Sequence, residues 1–269
     1  MASFESILLV GCGNMAGAML QGWLAAGLRA ERFTVADPAE RDLPAGVRKL
    51  DAIPAAGRFD AILLGVKPQL LGEIGPQAAP LAGAETVLLS ILAGVDLAVL
   101  EAQFPRARGV VRMMPNLSAA LGKSPIALAE RGLDGGGRTA IVELLEPLGT
   151  PEWIGEEEFD LVTALAGSGP AFVYRFIDAL GSAAAALGLE EDKARRLALA
   201  TVDGAAALAA SSPHDPAELA RRVASPGGVT QAGLEALDDG ARLPALLKKT
   251  LRAACDRSAE MSREARREG

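Results

Sequence analysis

The sequence predicts an α/β domain followed by an all-helical domain, with the boundary between residues 157 and 158. Three observations predict it. Short apolar runs alternate with helical stretches as far as residue 155. No strand-like run follows Leu161. A glycine turn stands between the first strand and the first helix. The 269 residues suit one large domain or two ordinary ones, and half of them are apolar, enough for a sizeable core.

"SILLVG" (6–11), "RFTVAD" (32–37), "DAILLGV" (60–66), "ETVLLSIL" (85–92), "GVVRMMP" (109–115) and "PIALAE" (125–130) are short and rich in β-branched or aliphatic residues. Several are apolar at nearly every position, as strands buried on both faces are. "TPEWIG" (150–155) adds a last strand. "MAGAMLQGWLAAG", "PQLLGEIGPQAAPLAG" and "DLAVLEAQF" carry helical apolar spacing between them. This alternation implies a mainly parallel sheet with right-handed crossovers. "GLDGGGR" (132–138) reads as a surface turn. Helices are then expected over 159–187, 190–211, 215–223, 229–239 and 243–266. "FVYRFIDALGSAAAALGL" is apolar around much of its circumference and needs cover on all sides. A lone domain of that size struggles to supply it, so self-association through these helices is expected, as a helix-exchanging or tightly packed dimer.

Composition narrows the function. The net charge of −7 disfavours a nucleic-acid partner. No apolar run is long enough for a membrane helix, and the start lacks a basic signal region, so a soluble cytoplasmic protein is expected. Cys12 and Cys255 stand too far apart in sequence for a disulfide framework. One histidine, His214, lies in "SSPHDP" and reads as an exposed loop residue. With so few His and Cys ligands, no metal site is expected.

"ILLVGCGNMAGAM" carries Gly11-x-Gly13-x-x-Ala16 directly after a strand and opening a helix. Gly11 permits the tight turn, Gly13 lets a pyrophosphate approach the backbone, and Ala16 lets helix and strand pack closely. This is the pattern of a Rossmann-like dinucleotide-binding domain. Asp37, in "VADPAER", stands where the second strand ends. It either accepts from a ribose 2′-hydroxyl, which favours NADH, or caps a following helix with Pro38 at the first position. Arg41, four residues on, is placed to reach a 2′-phosphate.

A nicotinamide enzyme that reduces a ketone must protonate an alkoxide, generally with His or with Tyr helped by Lys. Tyr174 has no Lys four residues on, and His214 lies outside any motif. A protonated imine is already positive and accepts hydride directly. The absence of an acid therefore points to reduction of a C=N bond.

Taken in order, "GNMAGAM", "VKPQ" (66–69), "MPN" (114–116), "ALAGSGPAFVY" (164–174) and "SPGGVT" (225–230) resemble the pyrroline-5-carboxylate reductase family over essentially the whole chain. The resemblance implies reduction of 1-pyrroline-5-carboxylate to L-proline by NADPH or NADH, and dimers built by the C-terminal helices. It implies that Gly11, Gly13, Asn14, Met15, Asp37, Val66, Lys67, Pro68 and Asn116 bind the cofactor, with Met114 and Pro115 leading to Asn116. It implies that Ser168, Gly169 and Pro170 line the substrate pocket, and that Thr230 bonds the ring nitrogen; Thr230 and Ser168 are the candidate catalytic residues. The chain departs from the family at Leu117 and Ser118, where Thr-Pro is common, and at Asp37, where Ser is common and suits a 2′-phosphate. Asp37 thus predicts NADH at parity or better. In "SPGGVT", Gly227 and Gly228 before a helix that begins near Val229 form a nest for an anion. With Ser225, Val229 and Thr230 they would hold the substrate carboxylate. A reductase of another cyclic imine carboxylate and a non-catalytic dinucleotide-binding regulator are the rival readings. A hydroxy-acid reductase is disfavoured, because the helix after "GSGP" carries only Arg175 as a basic residue.

Overall fold

In the computed structural model the described residues run from 4 to 268, and they form two compact units. The first comprises residues up to Ser168 together with those from Ala253 onward; the second is Gly169–Arg252.

The first unit is built on an eight-stranded sheet. Its strands are β1 (Ile7–Val10), β2 (Phe33–Ala36), β3 (Arg48–Leu50), β4 (Ala61–Leu64), β5 (Val87–Ser90), β6 (Gly109–Met114), β7 (Ser124–Arg131) and β8 (Gly149–Trp153). They lie in the order β3-β2-β1-β4-β5-β6-β7-β8, parallel throughout except for the antiparallel β6–β7 pair. Helices α1 (Asn14–Ala25), α2 (Leu71–Ala78), α3 (Leu97–Gln103) and α4 (Gly135–Leu145) connect them. Strand side chains alternate between two cores. Ile7, Leu9, Leu63 and Leu89 join α1 and α4 in one; Leu8, Val10, Ile62 and Leu88 join α2 and α3 in the other. All four residues of β1, β2, β4 and β5 are buried, which is why their sequences are apolar apart from Thr34 and Ser90 and show no alternation.

The expected strands are present, and four expectations change. β3, with the polar sequence Arg-Lys-Leu at the sheet edge, gives no apolar signal and was not foreseen. "GLDGGGR" is a helix start rather than a surface turn: Asp134 accepts from the Gly137 N–H at 2.7 Å and caps α4. No helix follows Pro38. Asp37 instead accepts from the Ala39 N–H at 2.9 Å, an Asx turn opening a loop. The long helix expected over 159–187 is broken into α5 (Phe159–Val162), a π turn (Thr163–Gly167) and α6 (Gly169–Ala186). Consequently residues 158–168 pack with the sheet unit, and the spatial division falls after Ser168 rather than after 157.

Arg112 explains that attachment. It projects from β6, only 4 % exposed, with its guanidinium 3.8 Å from the centroid of the Phe159 ring and 3.6 Å from Glu156. Burial pulls its pKa down, and the charges of Glu156, Asp160 and Asp96 oppose that pull. Asp160 accepts in turn from the Ser258 hydroxyl at 2.7 Å, which ties the end of the last helix to the same unit.

The second unit contains α6, α7 (Glu191–Ser211), α8 (Pro216–Val223), α9 (Val229–Asp238) and the first part of α10 (Arg242–Glu268). α6 and α7 meet closely where a Cβ on Gly181 would lie 3.4 Å from the Arg195 Cα. Asp215 caps α8 with Pro216 in its first turn. His214 lies in the preceding loop, half-buried rather than exposed. Few side chains of this unit are buried within the single chain. Tyr174, Leu187, Leu197 and Leu208 are each more than half exposed.

Candidate active site

The strand order reverses direction between β1 and β4, which makes their C-terminal ends the topological switch point of the sheet. The loop after β1 holds Gly11 and Gly13, and the loop after β4 holds Val66, Lys67 and Pro68. Gly11 has φ +82°, and a Cβ there would stand 2.7 Å from the Val66 side chain. The two loops therefore lie flush, which only glycine permits. Gly65 is the matching surface: a Cβ on it would meet both the Ala16 side chain and the Gly11 carbonyl at 2.8 Å. Ala16 thus does what its place in the motif predicts.

Gly13 precedes α1 and is open. A Cβ on it would meet nothing within 4 Å, and no side chain caps the first turn of the helix. Those N–H groups are free for an anion, with the helix dipole behind them. The residues present therefore fit a dinucleotide pyrophosphate. Asn14 is exposed beside this terminus, while Met15 is half-buried against the core. Lys67 is exposed and precedes a short turn that begins at Pro68.

Asp37 is 6 % exposed and already well occupied. Oδ2 accepts from the Cys12 N–H at 2.8 Å and from Arg41 Nε at 3.1 Å; Oδ1 accepts from Ala39. Burial works against its ionisation, but the two backbone donors and the Arg41 guanidinium outweigh burial and hold its carboxyl below the ordinary range. The neighbouring Cys12 thiol is pushed up, by burial first and by the Asp37 charge second. Asp37 is thus a brace between the glycine loop and the loop after β2, a role that residue type alone did not reveal.

At the end of β6, Met114 and Pro115 lead to Asn116, which is buried. Its Oδ1 accepts from the Ser118 N–H and hydroxyl, and its Nδ2 donates to the Ala166 carbonyl at 2.9 Å. Its own N–H donates to Ser124 Oγ at 2.9 Å. Sequence reasoning missed Ala166, Ser118 and Ser124 as partners. Ser168 ends the π turn, with its N–H donating to the Thr163 carbonyl; its hydroxyl bonds no other described residue. Gly169 and Pro170 then open α6.

In the helical unit, Ser225–Gly228 form a turn ahead of α9, whose first residues are Val229 and Thr230. Gly227 has φ +69°, and Gly228 is the N-cap without a side-chain partner. The anion nest needs one correction. The Gly227 N–H donates to Gln231 Oε1 and the Gly228 N–H to the Ser225 carbonyl, so the two glycine donors are taken. The uncapped donors are those of the first turn, from Val229 onward. Ser225, Val229 and Thr230 are exposed, Val229 by 93 %. No group of His, Cys, Asp and Glu able to hold a metal occurs among the described residues, nor is any of their helices long and apolar enough to cross a membrane.

Comparison with known proteins divides the chain earlier than the two compact units do, near residue 156. Residues 156–261 match the family model described as pyrroline-5-carboxylate reductase dimerisation, and residues 6–94 match NADP oxidoreductase coenzyme F420-dependent. The chain is 36 % identical to the pyrroline-5-carboxylate reductase of Pseudomonas aeruginosa, over 97 % of this chain and 98 % of that one. It is 32 % identical to pyrroline-5-carboxylate reductase 2 of Bacillus subtilis, over 97 % and 96 %. The structure of a pyrroline-5-carboxylate reductase from Coxiella burnetii superposes with a TM-score of 0.88 at 27 % identity, covering 97 % of this chain and 99 % of that one. With the switch-point glycine loop, the helical second unit and these matches in hand, the chain belongs to the pyrroline-5-carboxylate reductase family.

Proposed function

We propose that this protein reduces 1-pyrroline-5-carboxylate to L-proline in the cytoplasm with NADPH or NADH, and that it works as a dimer or higher oligomer built by residues 158–269. The observation that carries this reading is the open, uncapped N-terminus of α1 at the switch point, in a chain whose length matches the family's. Gly11, Gly13, Asn14 and Met15 would hold the pyrophosphate, with Val66, Lys67 and Pro68 on the facing loop. A carboxylate and a guanidinium 3.1 Å apart, Asp37 and Arg41, meet the adenosine end; this paired charge admits a 2′-hydroxyl or a 2′-phosphate, so both nucleotides are retained.

When bound, the nicotinamide supplies the hydride that goes to the carbon of the C=N bond. The chain's own work is positional. The first-turn N–H groups of α9 would take the substrate carboxylate, and Thr230 would orient the ring nitrogen. Ser168, at the end of the π turn, and Gly169 and Pro170, at the start of α6, are the remaining candidates for contact with substrate. The nitrogen enters protonated, so the carbon takes the hydride and the C=N π pair becomes the lone pair of a neutral amine. No side-chain acid is needed for that step, in keeping with His214 lying outside any motif and Tyr174 having no Lys four residues on.

The test is direct. Purified protein should oxidise NADPH or NADH in the presence of 1-pyrroline-5-carboxylate and yield proline. Nucleotide binding without turnover would instead identify a regulator, and turnover only on pyrroline-2-carboxylate or a piperideine carboxylate would reassign the substrate.

A further inference from the structure

We propose that Asn116 is a positioning residue: it holds the π turn ahead of Ser168 by supplying the hydrogen bond that Pro170 takes away. In an α-helix the carbonyl of residue 166 accepts from the N–H of residue 170. Residue 170 is proline and has no N–H. The Ala166 carbonyl lies in a buried residue, and a buried carbonyl without a donor is costly. Asn116 Nδ2 reaches it at 2.9 Å from fifty residues away in sequence.

The orientation of that amide is fixed from the other side. Both donors of Ser118 converge on Asn116 Oδ1, so a flipped amide would turn Nδ2 onto two donors. The Asn116 N–H is held in turn by Ser124 Oγ. Met114 packs behind the same turn, since a Cβ on Gly167 would lie 3.3 Å from its sulfur. The end of β6 is thus bolted to the last residues before the chain enters α6. What Asn116 fixes is the place of Ser168 and of the α6 entry. In this chain "MPN" and "GSGP" are two halves of one hydrogen-bonding arrangement, the proline creating a vacancy and the asparagine filling it. Asn116 accordingly acts on catalysis through Ser168 and not as a ligand of the nucleotide, an inference that rests on the proposed function for its catalytic consequence.

The experiment is a double-mutant cycle on the full chain with three readouts. Asn116→Ala should lower kcat on 1-pyrroline-5-carboxylate by about tenfold to a hundredfold, the scale expected when a reacting group is displaced by about 1 Å. Nucleotide Kd, followed by fluorescence titration without substrate, should stay unchanged. Pro170→Ala restores an N–H at residue 170, so its cost in Tm and kcat should be smaller in the Asn116→Ala background than in the wild type. If Asn116→Ala does not fold, Asn116→Ser is used in the same cycle. Additive Tm losses would overturn the strut. So would an Asn116 variant that binds nucleotide tenfold more weakly at unchanged kcat, which would make Asn116 a cofactor ligand. Failure of the wild type to turn over any cyclic imine would remove the proposed function, while the Tm cycle would still decide the Asn116–Pro170 coupling.

Discussion

Asp37 is the residue whose structural role differs most from its sequence role. As the last position of a Rossmann-type second strand it reads as a ribose ligand; in the fold it pins Cys12 of the glycine loop to its own loop and tethers Arg41. Its folded pKa is depressed, so its contribution to stability is present above the unfolded value and is lost as pH falls through the folded one. Asp37→Asn should cost about 2 kcal/mol near neutral pH, the scale of a hydrogen bond to a charged group. The difference between wild type and variant should shrink as pH falls below about 4. Thermal unfolding at a series of pH values checks this, and a difference that persists in acid would refute it. The variant should also weaken both nucleotides alike, because it loosens the loop that carries Gly13. Gly11, Gly13 and Ala16 were legible in the sequence because clearance is a property of the residue type. The partners of Asp37 were not, because Cys12 lies 25 residues away and its backbone N–H leaves no trace in composition.

Among the elements, the central strands were legible because burial on both faces forces unbroken apolar runs. Strand β3 was hidden because an edge strand of three residues needs no such run. Within the 159–187 helix, Gly169 and Pro170 mark a kink in the sequence, but the π turn ahead of it was hidden: Ala, Leu, Gly and Thr write the same pattern in an α turn and a π turn. Element contacts also decide which glycines matter. Gly65 is the floor on which the β1–α1 loop rests, with Ala16 and the Gly11 carbonyl both 2.8 Å from an added Cβ. Gly65→Ala should destabilise by about 1–3 kcal/mol, the range for overpacking a close contact. It should also raise nucleotide Kd by tilting α1 away from β4. Chemical denaturation and a binding titration check the two effects, and a variant of unchanged stability would show that the loop relaxes freely.

At the scale of the whole molecule, the helical unit leaves a broad apolar surface uncovered within one chain. Tyr174 is 66 % exposed, Leu208 60 % and Leu197 53 %. A patch of this kind marks an association surface. The purified protein should therefore sediment as a dimer or larger, with a Tm that rises with protein concentration. Leu197→Glu combined with Leu208→Glu should shift it toward monomer and lower Tm. A monomeric wild type at micromolar concentration would sink this expectation. The need for a partner was readable in the sequence from helices apolar all round; the face they present was not, because several helical registers bury the same residues equally well.

The first unit is also discontinuous in the chain, since Ala253 onward returns to it, with Ser258 bonded to Asp160 and the Met261 backbone packed 3.2 Å from a Cβ built on Gly94. During synthesis the ribosome must make the whole helical unit before it delivers these residues. The sheet unit begins first and is completed after its neighbour, so for that interval the β5–α3 loop and the α5 segment are exposed on the nascent chain.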